Sequence, residues 1–311
     1  MPQKCLILGA NGQIGTELVI ALRKKLGINQ VIASDVKPNN APDQEGPFVQ
    51  LDALDESALR DLVVQEKIDT VYLMAAMLSA TGEQHPDLAW SLNMNTLFHV
   101  LRLGKDGLIQ RIFWPSSIAV FGPSSPKDNT PQLGIMEPST VYGISKLSGE
   151  MWCQYYYQKY GVDVRSLRYP GLISYKSAPG GGTTDYAVTI FYEALAQGHY
   201  NCYLSAEATL PMMYMDDAIE ATLTLMDAPS THAKPGVAYN LAGMSFSPEE
   251  LAEEIKKHLP DFSISYAPDA RQKIADSWPK SIDDSWARTD WGWKPKYDLS
   301  QMVKTMLAHL K

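Results

Sequence analysis

Only three cysteines occur in 311 residues, Cys5, Cys153 and Cys202. An odd count at such wide spacing excludes a disulfide framework and a clustered zinc ligand set. Positive charge is also sparse. Lys and Arg number 27 against 35 Asp and Glu, a net charge of −8, and no basic run exceeds the three residues of Arg23-Lys24-Lys25. A nucleic-acid partner needs a clustered positive footprint, so none is expected. No apolar run reaches the roughly 18 residues of a membrane span, which argues against a membrane partner. The first residues show neither a signal-peptide nor a transit-peptide pattern. These absences predict a cytoplasmic protein with reduced thiols. There is no internal repeat and no low-complexity tract.

Against these gaps, apolar residues make up 45% and charged residues 20%, enough for a sizeable core. The length suits one large domain with a smaller one appended. Short apolar runs at 5–8, 31–34, 48–51, 70–74, 111–114 and 164–168 read as strands. Amphipathic stretches at 14–26, 57–65, 88–103 and 141–160 read as helices between them. That alternation predicts βαβ units and a parallel sheet covered on both faces. Residues 1–170 are expected to form this domain, with 210–242 returning to it. Within that return, 212–226 reads as a strand leading into a helix and 238–241 as a strand rejoining the sheet. A smaller lobe is expected from 171–209 and 243–311. In it, 177–182 is a loop by composition, 186–197 a helix, and 248–258 a helix with Pro248 suited to its first turn.

Gly9, Gly12 and Gly15 lie between the first strand and the first helix, in the run Gly9-Ala10-Asn11-Gly12-Gln13-Ile14-Gly15. A backbone without Cβ turns sharply there and lets a pyrophosphate approach. The helix N-terminus then offers free N–H groups to it. Asp35 closes the next strand 20 residues after Gly15. A carboxylate there accepts from both ribose hydroxyls of an adenosine and repels a 2′-phosphate, so the reading is NAD rather than NADP. Asp52, after the third strand, is placed either to accept from the adenine amino group or to serve as a loop carboxylate or helix cap.

Tyr142 and Lys146 open the helix at 141–160 and share one of its faces at i and i+4. An ammonium beside a phenol favours phenolate, which predicts a Tyr142 pKa below the ordinary value of about 10 and a usable general base. Ser117 follows the fifth strand, on the rim where ligands bind in parallel sheets, and can hydrogen-bond a reacting oxygen. Its bland alternative is a capping serine.

The glycine loop, Asp35, the Ser117–Tyr142–Lys146 set and the strand ending Leu167-Arg168-Tyr169-Pro170 resemble the extended short-chain dehydrogenase/reductase superfamily. The resemblance implies a fold class of α/β type: a Rossmann-type doubly wound parallel sheet with a smaller C-terminal substrate-binding lobe. It implies cofactor contacts at Gly9, Asn11, Gly12, Gln13, Ile14, Gly15, Asp35, Asp52, Ala53, Leu73, Ala75, Asn93, Tyr142, Lys146 and Tyr169. The runs 179–188, 210–218 and 276–279 are similar, more narrowly, to the short-chain type of L-threonine 3-dehydrogenases, and this likeness extends over nearly the whole chain. It implies NAD-dependent oxidation of L-threonine at C3 to 2-amino-3-oxobutyrate. Substrate contacts are then expected at Ser79, Ser117, Tyr142, Gly182, Thr183, Thr184 and Trp278. Thr183, Thr184 and adjacent N–H groups suit a carboxylate. Trp278 either covers the pocket or anchors the small lobe. Met212, Met213 and Met215 read as core, and Asp216 and Asp217 as the start of a helix.

The nearest rival is a nucleotide-sugar 4-epimerase or dehydratase of the same superfamily. Those relatives typically carry asparagine where this chain has Gly171, and only Arg271 and Arg288 remain to meet a diphosphate. A regulator that binds NAD without turnover need not keep Ser117, Tyr142 and Lys146 together. Relatives often dimerise through the helix holding Tyr142 and the helix before it, and a homodimer is expected here.

Overall fold

The structure is a computed structural model and describes residues 3–39, 45–176 and 182–310. The expected loop at 177–182 therefore lies outside the described residues except for Gly182. Among the described residues there are thirteen strands. They are β1 (Cys5–Leu8), β2 (Val31–Asp35), β3 (Phe48–Gln50), β4 (Thr70–Leu73), β5 (Arg111–Phe113), β6 (Ser116–Ser117), β7 (Asp163–Tyr169), β8 (Gly171–Ile173), β9 (His199–Cys202), β10 (Leu210–Tyr214), β11 (Ala238–Asn240), β12 (Met244–Phe246) and β13 (Ser263–Tyr266). The α-helices are α1 (Gln13–Leu26), α2 (Glu56–Glu66), α3 (Ser79–Gln84), α4 (Pro86–Lys105), α5 (Val141–Tyr160), α6 (Tyr186–Gln197), α7 (Met215–Asp227), α8 (Pro248–Lys256), α9 (Ala270–Ser277), α10 (Ser285–Trp291) and α11 (Leu299–Leu310).

The main sheet runs β11-β7-β5-β4-β1-β2-β3, with β6 also on β7, and every pairing is parallel. Side chains alternate between its faces, because successive Cβ atoms of a strand point opposite ways. Cys5, Ile7, Val31 and Ala33 join the core under α1 and α7. Leu6, Leu8, Ile32 and Val71 join the core under α2, α4 and α5. Strand order reverses between β1 and β4, so the crevice beyond their carboxyl ends is the expected ligand position.

The second half departs from the sequence reading in particular ways. Segment 210–242 does not return as one piece. β10 pairs β8 and β12 in a separate three-stranded sheet, α7 packs on α1 and β7, and β11 rejoins the main sheet beside β7. β9 (His-Tyr-Asn-Cys) and β13 (Ser-Ile-Ser-Tyr) do alternate in the sequence, although neither was expected as a strand, whereas three-residue β8 and β12 are too short for a period to show, so only pairing reveals them. A third core gathers α6, α8, α11 and β10 with Ile118, Val120 and Phe121. α10 instead packs against β11, with Trp291 and Trp293 in the main-sheet core. Pro248 does open α8, behind a capping box of Ser247 and Glu250. Met212, Met213 and Met215 are buried. Asp216 and Asp217 stand in the first turn of α7, and Asp217 accepts from the backbone N–H groups of Lys296 and Tyr297.

Candidate active site

The glycine loop is shaped by its own crowding. Gly9 adopts φ +84°, and a Cβ there would meet the Ala75 backbone nitrogen at 2.5 Å. A Cβ on Gly15 would lie 2.2 Å from the Gly9 carbonyl oxygen. α1 starts directly after Gly12, with no side-chain cap and no acid in its first turn. Its leading N–H groups and positive dipole end therefore face outward for an anion. The Gln13 amide nitrogen is buried without a hydrogen-bond partner. Asp35 is held at the edge of this loop, accepting from the Asn11 N–H at 3.0 Å and the Lys37 N–H at 3.1 Å. This cradle and its donors fit a dinucleotide.

Farther along the rim, Asp52 accepts from the Leu54 N–H and so forms a local turn. The buried Ala53 carbonyl lies 3.0 Å from His99 Nδ1. Leu73 is buried in β4, and Ala75 donates its N–H to Leu8. Asn93 is a brace in this structure. Its amide accepts from the Met77 N–H at 2.8 Å and donates to the Met77 carbonyl and the Ser145 hydroxyl, tying the loop after β4 to α4 and α5.

Thr140 caps α5 and starts it at Val141, which sets Tyr142 and Lys146 one turn apart. β6 places Ser117 in register with Tyr169. The Ser117 hydroxyl hydrogen-bonds the Tyr142 phenol and also caps the short 3-10 turn that follows, accepting from the Ala119 N–H at 3.2 Å. The capping reading of Ser117 is thus seen directly, and the same residue lines the pocket beside Tyr142. Lys146 donates to the Pro115 carbonyl at 2.6 Å and lies 4.5 Å from the Trp114 ring centroid and 5.5 Å from that of Tyr142.

The expected depression of the Tyr142 pKa is corrected here. Burial pushes the phenol up to about 12, against the lowering effect of the Ser117 hydrogen bond. Burial also pushes Lys146 down to about 7. Desolvation of the charged form is the largest cause of each shift.

One turn beyond Lys146, Glu150 receives both guanidinium forks of Arg168 at 2.9 and 2.8 Å and the Ser116 hydroxyl at 2.5 Å. This buried pair fixes α5 against β6 and β7 on the side of Tyr142 and Lys146.

A pocket enclosing about 130 Å³ opens beside Tyr142. It brings together Gln13, Ile14, Ser79, Ser117, Tyr142, Lys146, Tyr169, Gly182, Thr183, Thr184 and Trp278 from the sequence reading. Gly9, Asn11, Gly12, Gly15, Asp35, Asp52, Ala53, Leu73, Ala75 and Asn93 do not line it. Ser79, expected in a loop, begins α3, and its hydroxyl lies 3.4 Å from that of Thr183. Tyr169 spends its hydroxyl on Thr222. Trp278 is buried at the end of α9. Asp185 was missed. It lines the pocket and accepts from the Gly182 N–H at 2.8 Å. An acid ahead of an apolar helical run reads as a cap, and it stands at that position without making the cap hydrogen bond. Met74, Ile118 and Leu172 supply apolar lining that no motif marked.

A crevice at the strand-order reversal, an anion cradle and a Ser–Tyr–Lys set define a class. The chain belongs to the NAD dependent epimerase/dehydratase family, whose model matches residues 5–242. It is an oxidoreductase using a nicotinamide dinucleotide. Solved structures at 42–55% identity are L-threonine 3-dehydrogenases. One, the GalE-like L-threonine dehydrogenase of Cupriavidus necator in its holo form, is 54% identical. The match covers 99% of this chain and 100% of that one at a TM-score of 0.97. Another, a monomeric L-threonine 3-dehydrogenase from a metagenome, is 50% identical over 98% of both chains at 0.95. An uncharacterized epimerase/dehydratase of Staphylococcus haemolyticus is 48% identical over 99% of this chain and 98% of its own length. Among the described residues, no helix is long and apolar enough to cross a membrane and no side-chain cluster could hold a metal ion.

Proposed function

We propose that the protein oxidises L-threonine at C3 to 2-amino-3-oxobutyrate, with NAD as its cofactor. The observation that carries this reading is a small pocket of mixed lining. Tyr142 and Ser117 line it together with Ser79, Thr183, Thr184 and Asp185. A pocket of about 130 Å³ is far below the several hundred that larger ligands need, and it suits a small amino acid.

NAD, when bound, supplies the two-electron acceptor for the C3 hydrogen. The glycine loop and the α1 N-terminus hold its pyrophosphate, and Asp35 reads the adenosine ribose. Asp52 and Ala53 border the adenine. Tyr142 removes the proton from the C3 hydroxyl, and Ser117 hydrogen-bonds that oxygen as charge develops on it. Lys146, in its protonated form, stabilises the Tyr142 phenolate. The hydroxyls and N–H groups of 182–184 bind the substrate carboxylate. Asp185 is the one carboxylate among the described lining residues and accepts from the substrate ammonium. Trp278 closes the apolar end against water.

A nucleotide-sugar substrate fits less well. Arg271 is engaged by Asp269 and Arg288 by Asp284, and a Cβ on Gly171 would meet Thr184 Cβ at 2.7 Å. We also read the protein as a cytoplasmic homodimer, supported by three buried, unpaired thiols and by apolar side chains exposed on α4 and α5.

The test is NADH absorbance with NAD and L-threonine, beside L-allo-threonine, L-serine and UDP-galactose. Rapid formation with L-threonine alone is expected. Silence with threonine together with interconversion of the UDP-sugar overturns the substrate reading.

A further inference from the structure

The turn that carries Thr183 into α6 has a support outside the pocket. The Tyr203 hydroxyl donates to the Thr183 carbonyl at 3.3 Å, and its ring packs edge-on against that of Tyr186 with centroids 6.5 Å apart. One side chain thus touches both ends of the 183–186 turn. Burial keeps the phenol protonated, so the donor persists across the working pH range.

The ring is fixed in turn by α9. Arg271 lies with its guanidinium carbon 3.1 Å from the Tyr203 ring centroid. Its Nε stands 3.0 Å from both Asp269 carboxylate oxygens. On either side of the ring, Asp269 donates its N–H to the Tyr203 carbonyl, and Gln272 accepts from the Ser205 N–H at 2.7 Å.

The opposite end of α9 reaches the same pocket. Its last residue precedes Trp278, a lining residue. Lys127 secures that end by donating to the carbonyls of Asp276 at 2.8 Å and Trp278 at 3.2 Å, and the Ser139 hydroxyl donates to that of Ser277.

We propose that Tyr203 is a positioning residue for substrate binding, and that α9 sets two walls of the pocket together, the Thr183 turn through Arg271–Tyr203 and the indole of Trp278 directly. The proposal rests on the reading that residues 182–185 hold the substrate's carboxylate and ammonium. Such contacts are made alike in the ground and transition states, so loosening them raises KM and leaves kcat.

Tyr203→Phe removes the hydroxyl and keeps the ring under Arg271. Loss of one such hydrogen bond predicts a rise of about three- to tenfold in KM for L-threonine. The kcat is expected within about twofold, with KM for NAD unchanged. Amide hydrogen exchange at 183–187 is expected to quicken while the main sheet stays protected. Arg271→Met is expected to raise the same KM by about two- to fivefold, and Arg271→Lys to restore part of it, since a cation over the ring returns. An unchanged KM with unchanged exchange at 183–187 overturns the proposal, as does an equal rise in KM for NAD. If the unaltered protein gives no NADH with threonine, the substrate reading falls, and the exchange measurement still decides whether Tyr203 braces the turn.

Discussion

Tyr142 must lose its proton to act as a base, and burial holds that proton on, up to about 12. The phenolate is therefore scarce at neutral pH and grows as pH rises, but the protonated Lys146 that stabilises it is lost above about 7. The rate of threonine oxidation is expected to climb about tenfold per pH unit below about 7 and to level off above it, and a rate independent of pH below about 7 would remove Tyr142 from the role. Tyr142→Phe is expected to lower kcat by roughly 10²–10⁴-fold while leaving NAD affinity near its original value, checked by cofactor titration. Lys146 carries the opposite burden. Its pKa falls from 10.5 to about 7 on folding, so the unfolded chain binds more protons between those values. Stability through this group is full above pH 10.5 and is lost as pH falls towards 7. Lys146→Met therefore should unfold at a higher temperature than the original protein at neutral pH, with the difference vanishing above pH 10.5, although turnover drops. A lower melting temperature for this variant at pH 7 would contradict the shift.

Among the elements, the βα unit at the N-terminus is the most legible in the sequence. Cys5–Leu8 is wholly apolar because both faces of β1 are covered, and Gly9 and Gly15 are required by contacts of 2.5 and 2.2 Å that any Cβ would make. These are local constraints, so residue type alone reports them. Asp35 was visible for the same reason, closing β2 beside the loop. Asp35→Ala is expected to shift the preference from NAD towards NADP, read as the ratio of kcat/KM for the two cofactors, because the carboxylate that repels a 2′-phosphate is gone. An unchanged ratio would assign the ribose to another group. α5 was legible too, bounded by the Thr140 cap and Gly161 in the left-handed region. Its electrostatics were not. The i, i+4 spacing of Tyr142 and Lys146 brings the side chains together, but the sign of each pKa shift depends on how much protein surrounds them. Asn93 and Asp185 were obscured differently. Each is a polar residue at an ordinary helical position, and only its partners show whether it braces a loop or lines a pocket.

For the whole molecule, the open question of assembly centres on α4 and α5. Leu88, Trp90, Met151, Trp152, Tyr155, Tyr157 and Tyr160 are exposed there, and Trp152 packs edge-on against Phe98 and Tyr155. A large exposed apolar face on a protein of net charge −8 is the kind that partners cover. Light scattering is expected to give a mass near twice 34.5 kDa, and Met151→Glu with Trp152→Glu to halve it. A monomer in the unaltered protein, like the monomeric metagenomic L-threonine 3-dehydrogenase, would leave the face without this role.

The sequence by itself determined the alternation of strands and helices, the glycine turn into α1, the place of Asp35 at the end of β2 and the grouping of Ser117, Tyr142 and Lys146. Each is encoded over a few residues, where apolar period, missing Cβ atoms and helix spacing act directly. The tertiary structure decided the rest. It split 210–242 between two sheets, set Asp185 on the pocket wall, and joined Ser139 to Ser277 across 138 positions of chain. It also reversed the expected shift of Tyr142. Burial and long-range pairing are properties of what packs around a residue, and that neighbourhood is assembled from distant segments that no local pattern contains.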